Sequence, residues 1–248
     1  MPNTQPMCDE ALSKNGVAPT SYRIVTIPKF TGDETSNNPP LALAHKFRDF
    51  RLIALKTSPG AFASTYDEES RRNLDQTLER LKSTKATQFV ALAVENARED
   101  AVVYEAEMGC LIENDWLGTV VLMGPNEDSR TISARADPLV QMAGQNAQVG
   151  KMEEHAALHF HLNGIFVQPS ARRSGLGRPL IEAALGKARE MTRGSETHGL
   201  HCTIIVDEWN DSARNLYARC GFEVVAKEIY GDDRIALRME LWEAEKGA

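Results

Sequence analysis

The residues best suited to chemistry stand in one short stretch, Arg172-Arg173-Ser174-Gly175-Leu176-Gly177-Arg178, between an apolar run that ends at Val167 and Pro169 and a helical pattern that follows. The first N–H groups of a helix lack partners and the helix dipole is positive there, so such a turn suits an anion. Gly175 and Gly177 let backbone approach a phosphate or pyrophosphate closely. Arg172, Arg173 and Arg178 bring positive charge to a chain whose net charge is −7. Pro179 falls in the first helical turn, where its missing N–H costs little. A dinucleotide fingerprint G-x-G-x-x-G would need glycine where Leu180 stands, and a Walker loop would need Gly-Lys-Ser/Thr, which is absent. Read alone, the turn is either a phosphate site or an ordinary strand-to-helix turn with surface arginines.

A second stretch, Asn210-Asp-Ser-Ala213-Arg-Asn-Leu216-Tyr217-Ala-Arg-Cys220-Gly221-Phe222, has its own local logic. Asn210 suits a helix cap, Gly221 a helix C-terminus, and Phe222 restarts a strand. Asn210, Ala213 and Tyr217 share a face, with Leu216 and Cys220 on a neighbouring face toward the core. Upstream, His159, His161 and Asn163 alternate with Leu158, Phe160 and Leu162, which predicts a strand with one polar and one apolar face. A histidine titrates near neutrality and can accept a proton there, although both histidines could equally be covered strand residues without a role. Two histidines without a third ligand make no metal site.

Together these elements resemble the GNAT N-acetyltransferase family. Val167-x-Pro169 followed by Arg172-x-x-Gly175-x-Gly177 is similar to its Gln/Arg-x-x-Gly-x-Gly/Ala signature, and Asn210–Phe222 to its Asn-x-x-Ala…Leu-Tyr-x-x-x-Gly-Phe segment; the likeness covers roughly Leu158–Leu241. The resemblance implies a mixed, mostly antiparallel twisted sheet with a parallel central pair and helices on both faces. It implies acetyl-CoA as co-substrate, no metal, and direct attack of a primary amine on the thioester. It assigns the cofactor to Ile165, Phe166 and Val167, where pantetheine pairs like an added strand, and to Arg172, Arg173, Ser174, Gly175, Leu176, Gly177 and Arg178 at the pyrophosphate. Asn210 would contact the pantetheine arm, Tyr217 would protonate the departing thiolate, and His161 stands where some members carry a glutamate base.

The elements that must position these residues are legible in the last ninety or so positions. Strand Leu158–Val167, helix Leu176–Thr192, strand Leu200–Val206, helix Asp211–Cys220 and strands Phe222–Ile229 and Arg234–Leu241 alternate in a way that demands crossover connections. Earlier, strands are expected at Tyr22–Ile27, Gln88–Val94 and Trp116–Met123, and helices at Leu41–Lys56 and Asp67–Ser83. Phe30–Pro40 reads as a loop, Asn96–Asp100 as a charged turn, and Gly124–Glu154 as a surface insertion, within one domain over residues 21–248 preceded by a loose tail at 1–20. Phe62, Tyr66 and the acids Asp67, Glu68 and Glu69 could receive a cationic amine, or the acids could cap the next helix.

Composition narrows the classes. The chain is 42% hydrophobic and 25% charged, as in ordinary globular proteins. No apolar run nears the about 18 residues of a membrane span, and the acidic balance argues against general nucleic-acid binding. The four cysteines are scattered without metal-type spacing, which fits a reduced, cytoplasmic setting. The expected partners are a small-molecule amine or a peptide acceptor, with the chain a monomer or homodimer. The same fold without turnover, as an acyl-CoA-binding or sensor protein, is the competing class, since a fold never guarantees a reaction; a protein N-terminal or lysine acetyltransferase is the competing enzyme.

Overall fold

The structure is a computed structural model that describes residues 21–30, 39–94, 104–105, 108–126, 157–195, 199–230 and 234–244. Its elements are β1 (Tyr22–Thr26), α1 (Pro39–Thr57), α2 (Tyr66–Arg71), α3 (Leu74–Lys82), β2 (Ala86–Ala93), β3 (Tyr104–Glu105), α4 (Met108–Glu113), β4 (Trp116–Asn126), β5 (Leu158–Val167), α5 (Gly177–Arg193), β6 (Gly199–Asp207), α6 (Asp211–Arg219), β7 (Glu223–Tyr230) and β8 (Arg234–Ala244). The tail at 1–20, the turn at 96–100 and nearly all of the insertion lie outside the described residues. Among the described residues no helix is long and apolar enough to cross a membrane.

The strands form one sheet in the order β3-β1-β2-β4-β5-β6-β8-β7. Pairing is antiparallel except between β1 and β3 at one edge and between β5 and β6 near the centre. This is the mixed, mostly antiparallel sheet with a central parallel pair that the resemblance implies. Alternation along β2 shows both faces buried. Phe89 and Ala91 join the core under α5 and α6, whereas Val90 and Leu92 join the core under α1, α3 and α4. The first core holds Leu180, Ile181, Ala184, Leu185 and Ala188 of α5. Their spacing is that of one helix face.

Several boundaries differ from expectation, for local reasons. The single helix expected over Asp67–Ser83 is two, because Asn73 caps α3 by accepting from Gln76 N–H at 3.1 Å. The acids at the start of α2 serve as caps. Thr65 and Glu68 form a reciprocal capping box, and Glu69 is buried beneath three arginines. Pro39 and Pro40, read as loop, begin α1, where proline is tolerated. Strand β4 continues through Gly124 to Asn126. The short α4 and β3 carry too little period to be read from sequence.

The alternation along β5 also breaks. Leu158, Phe160 and Leu162 face the α5 core, but so do Ile165 and Val167, while Phe166 faces the α1 core. Between Asn163↔Val121 and Phe166↔Thr119, β5 spends one residue more than β4. That extra residue is a β-bulge, and Gly164 sits in it at φ 59°. A side chain there meets ordinary contact distances, with Val121 Cγ2 3.6 Å from a built Cβ, so the constraint is backbone strain alone. We expect Gly164→Ala to lower the unfolding free energy by about 1 kcal/mol in urea titrations; an unchanged midpoint would show that the bulge tolerates other backbones.

Candidate active site

The bulge coincides with a parting of strands. Described β5–β6 pairs run from Leu158↔Leu200 to Leu162↔Ile204 and then stop, although β6 remains paired to β8 as far as Asp207↔Ala236. From Asn163 to Val167, β5 therefore presents a backbone edge that no described strand covers. A cleft of about 1240 Å³ opens there, lined by Ile165, Phe166 and Val167 on one strand and Ile204, Ile205 and Val206 on the other.

The turn after β5 closes one end of this cleft. Pro169–Ala171 forms a single helical turn, and Arg173 (φ 64°) and Gly175 (φ 85°) then take left-handed conformations before α5 begins at Gly177. Successive N–H groups in such a backbone make anion-binding concavities. A Cβ built on Gly175 meets no atom within 4 Å, so the turn is open to solvent where a ligand would lie. Among the described residues no backbone carbonyl accepts from the N–H groups of 173–175. A Cβ on Gly177 would lie 2.8 Å from Leu216 Cδ2, so that glycine lets α6 pack against the start of α5.

The sequence-derived candidates converge on this cleft with one exception. Its lining includes His161, Ile165, Phe166, Val167, Arg172, Arg173, Gly175, Leu176, Gly177, Arg178, Asn210 and Tyr217, but not Ser174, whose hydroxyl donates to Ala171 C=O at 2.7 Å. The arginines do not all point alike. Arg172 donates from Nε to Val167 C=O at 3.0 Å and from Nη2 to Ser58 Oγ at 2.8 Å, with its guanidinium over the Phe166 ring. Arg178 pairs with Glu182 at 2.6 Å, and Arg173 is exposed. Asn210 caps α6 by accepting from Ala213 N–H at 3.2 Å.

Tyr217 is 7% exposed, and burial raises its hydroxyl pKa far above neutrality, so it carries its proton at any physiological pH. His161 is 5% exposed rather than lying on an open polar face. His161 Nδ1 lies 2.9 Å from Thr203 Oγ1, and when that hydroxyl donates to Phe160 C=O at 3.3 Å it accepts from the ring's Nδ1–H. This leaves His161 Nε2 as the acceptor. Burial pushes the His161 pKa down from 6.5 to about 4, so the ring is neutral at pH 7. His159 turns elsewhere, with Nδ1 2.8 Å from His201 Nδ1 beneath Trp242. Among the described residues no group of three or more His, Cys, Asp or Glu could hold a metal ion.

Sequence reasoning missed the opposite wall. Arg234 pairs with the buried Asp207 (Nε–Oδ1 2.8 Å) and donates to Gly60 C=O, tying the α1–α2 loop to the end of β6. Trp209 packs on Gly60, whose built Cβ would lie 2.9 Å from its ring. Nothing in the spacing of residues 60, 207 and 234 could have signalled this; only the sheet order brings them together.

With that geometry established, comparison with known proteins is informative. Residues 147–222 match the acetyltransferase (GNAT) family. The matched segment ends at Phe222 and so contains β5, the phosphate-type turn, α5, β6 and α6. Over 72 residues the chain is 32% identical to the peptidyl-lysine N-acetyltransferase YjaB of Escherichia coli (strain K12); the matched stretch is 29% of this chain and spans only 42% of that relative. Among solved structures, a nourseothricin acetyltransferase aligns at 21% identity and a TM-score of 0.38, over 64% of this chain and 66% of its own. The acetyl-CoA complex of Arabidopsis thaliana NAA60 aligns at 11% identity and a TM-score of 0.47, over 90% and 98%.

The buried neutral His161 has a consequence for stability. Between pH 6.5 and about 4 the unfolded chain takes up a proton that the folded protein refuses, so stability falls as pH drops through that window. His161→Gln, which keeps a donor toward Thr203, should lose less stability than the parent between about pH 7 and about pH 5 in urea unfolding. An equal loss would contradict the burial account.

Proposed function

We propose that this protein is an acetyl-CoA-dependent N-acetyltransferase that acetylates a primary amine in the cleft between β5 and β6. The observation that carries this reading is the juxtaposition, in one cleft, of an uncovered β5 edge, an open phosphate-type turn and a buried protonated tyrosine. The site fits the co-substrate on its own chemistry. Open space beside Gly175 and N–H groups without backbone acceptors suit a pyrophosphate, and the edge of Asn163–Val167 suits an amide-bearing arm that pairs as a strand does. Acetyl-CoA, when bound, supplies the activated acetyl thioester.

This chain's residues would do the rest. A backbone N–H within Ile165–Val167 would hold the reacting carbonyl in a polarised orientation. Tyr217 donates its proton to the departing sulfur, its raised pKa keeps that proton available, and the proton shed by the attacking nitrogen as the amide forms restores Tyr217 by way of water. His161 Nε2 accepts a hydrogen bond from the incoming amine. With a pKa near 4 it is too weak a base to strip an alkylammonium, so the amine reacts from its own neutral fraction. His161 thus acts by positioning more than by general-base strength. The family match at 147–222 leaves out α1–α3, which wall the acceptor end, so it carries no acceptor preference.

Thermal-shift titration tests the assignment: acetyl-CoA should stabilise the native state by about 2.7 kcal/mol at a hundredfold excess over Kd, whereas NAD and ATP should not. Gly175→Glu places a carboxylate in the anion site and should abolish that shift while folding; a retained shift would refute the phosphate assignment. Tyr217→Phe should lower kcat by about a hundredfold with little change in acetyl-CoA affinity. Wild-type turnover in that variant would remove Tyr217 as the acid.

A further inference from the structure

The end of the cleft away from the phosphate turn has an unusual charge balance. Eight arginines line the cleft as a whole, and among the described lining residues Asp207, paired to Arg234, is the only carboxylate. Three of the arginines, Arg51, Arg72 and Arg80, gather at the acceptor end around a single acid. Glu69 is 1% exposed, accepts from Arg80 Nη1 at 2.7 Å, and forms ion pairs with Arg51 Nε at 3.1 Å and Arg72 Nε at 3.7 Å. Beside Glu69 the only other acid that acts on these three guanidiniums among the described residues is Glu68, exposed at the start of α2 and within electrostatic reach of Arg72, so positive charge stays in excess there in a protein whose net charge is −7. The strand wall that shares this end is neutral: Gln88, Met123 and the uncharged His161.

A cationic acceptor such as a polyamine would meet like charge here, at close range and in a partly desolvated cleft. A carboxylate would meet planar forks suited to bidentate pairing. Building on the acetyltransferase reading above, we propose that the acceptor is a small molecule carrying a carboxylate beside its amine, an amino-acid-type amine, with the carboxylate seated against Arg51, Arg72 and Arg80 and the amine directed to His161. Specificity then rests on α1–α3, which carry these arginines and lie outside the family-matched segment.

The test uses the full chain with acetyl-CoA and measures thiol release for the twenty α-amino acids, each beside its carboxamide and its decarboxylated amine, with spermidine and a lysine-containing peptide as further acceptors. The expected result is at least one amino acid whose kcat/KM exceeds that of its amide and its amine by tenfold or more. Arg72→Gln removes the arginine that stands farthest from Glu69, so it should raise KM for that amino acid several-fold more than it raises KM for the amide; an equal change in both would contradict the carboxylate seat. Equal or better turnover of the amides, of spermidine or of the peptide would overturn the carboxylate assignment while leaving the acetyltransferase reading intact. Turnover of none of the twenty would overturn it as well. If acetyl-CoA produced no thermal shift, the acetyltransferase reading itself would fall, and this assignment with it.

Discussion

Two neighbouring parallel strands cannot be joined by a hairpin; the chain must leave one strand, cross a face of the sheet and return. In this protein that obligation falls on β5 and β6, and α5 is the crossover. The turn from β5 into α5 is consequently forced to the C-terminal end of β5, with the N-terminus of α5 beside it. The bulge at Gly164 then swings the last residues of β5 out of register with their neighbour. Pairing with β6 ends two residues before it, and the cleft occupies the resulting gap. Anion turn, open strand edge and cleft are thus consequences of one topological constraint and one inserted residue.

The two helical layers divide the work. The face under α5 and α6 is a conventional apolar core that fixes the turn and buries Tyr217. The opposite face, under α1, α3 and α4, is apolar near Trp116 and Phe50 but becomes ionic around Glu69, where arginines rather than hydrocarbon wall the cleft. The α1–α2 loop is held to the rest by Arg234 at Gly60 and by Arg172 at Ser58, so an arginine of the phosphate-type turn also braces the opposite wall of the cleft. The phosphate-type turn and the arginine-lined end of the cleft are therefore mechanically contiguous.

The legible part of the sequence was the part where local chemistry and local structure coincide. Residues 172–178 must form an exposed turn that opens a helix, and residues 210–222 must form a capped helix followed by a strand, whatever surrounds them; twelve of the thirteen candidates drawn from these and from β5 line the cleft. What escaped depends on long-range register. The parity flip at Gly164 could not be seen, because a glycine in a strand looks the same with or without a bulge. The burial of His161 followed from its seat beside Thr203 on β6, forty-two positions away. Glu69 looked like one of three equivalent acids in a helix start, yet the packing of α1 and α3 separates it from its neighbours. The ion pair of Asp207 with Arg234 likewise exists only because β6 and β8 are adjacent.

The central claim is that the uncovered edge of β5 and the turn that follows it form the acetyl-CoA site. Amide hydrogen exchange with and without acetyl-CoA examines it most directly, because both are backbone features. The account predicts that acetyl-CoA slows exchange selectively at Asn163–Val167 and at 173–177, with little change in β2 or β8. Protection confined to other segments, or none at either of these, would contradict it.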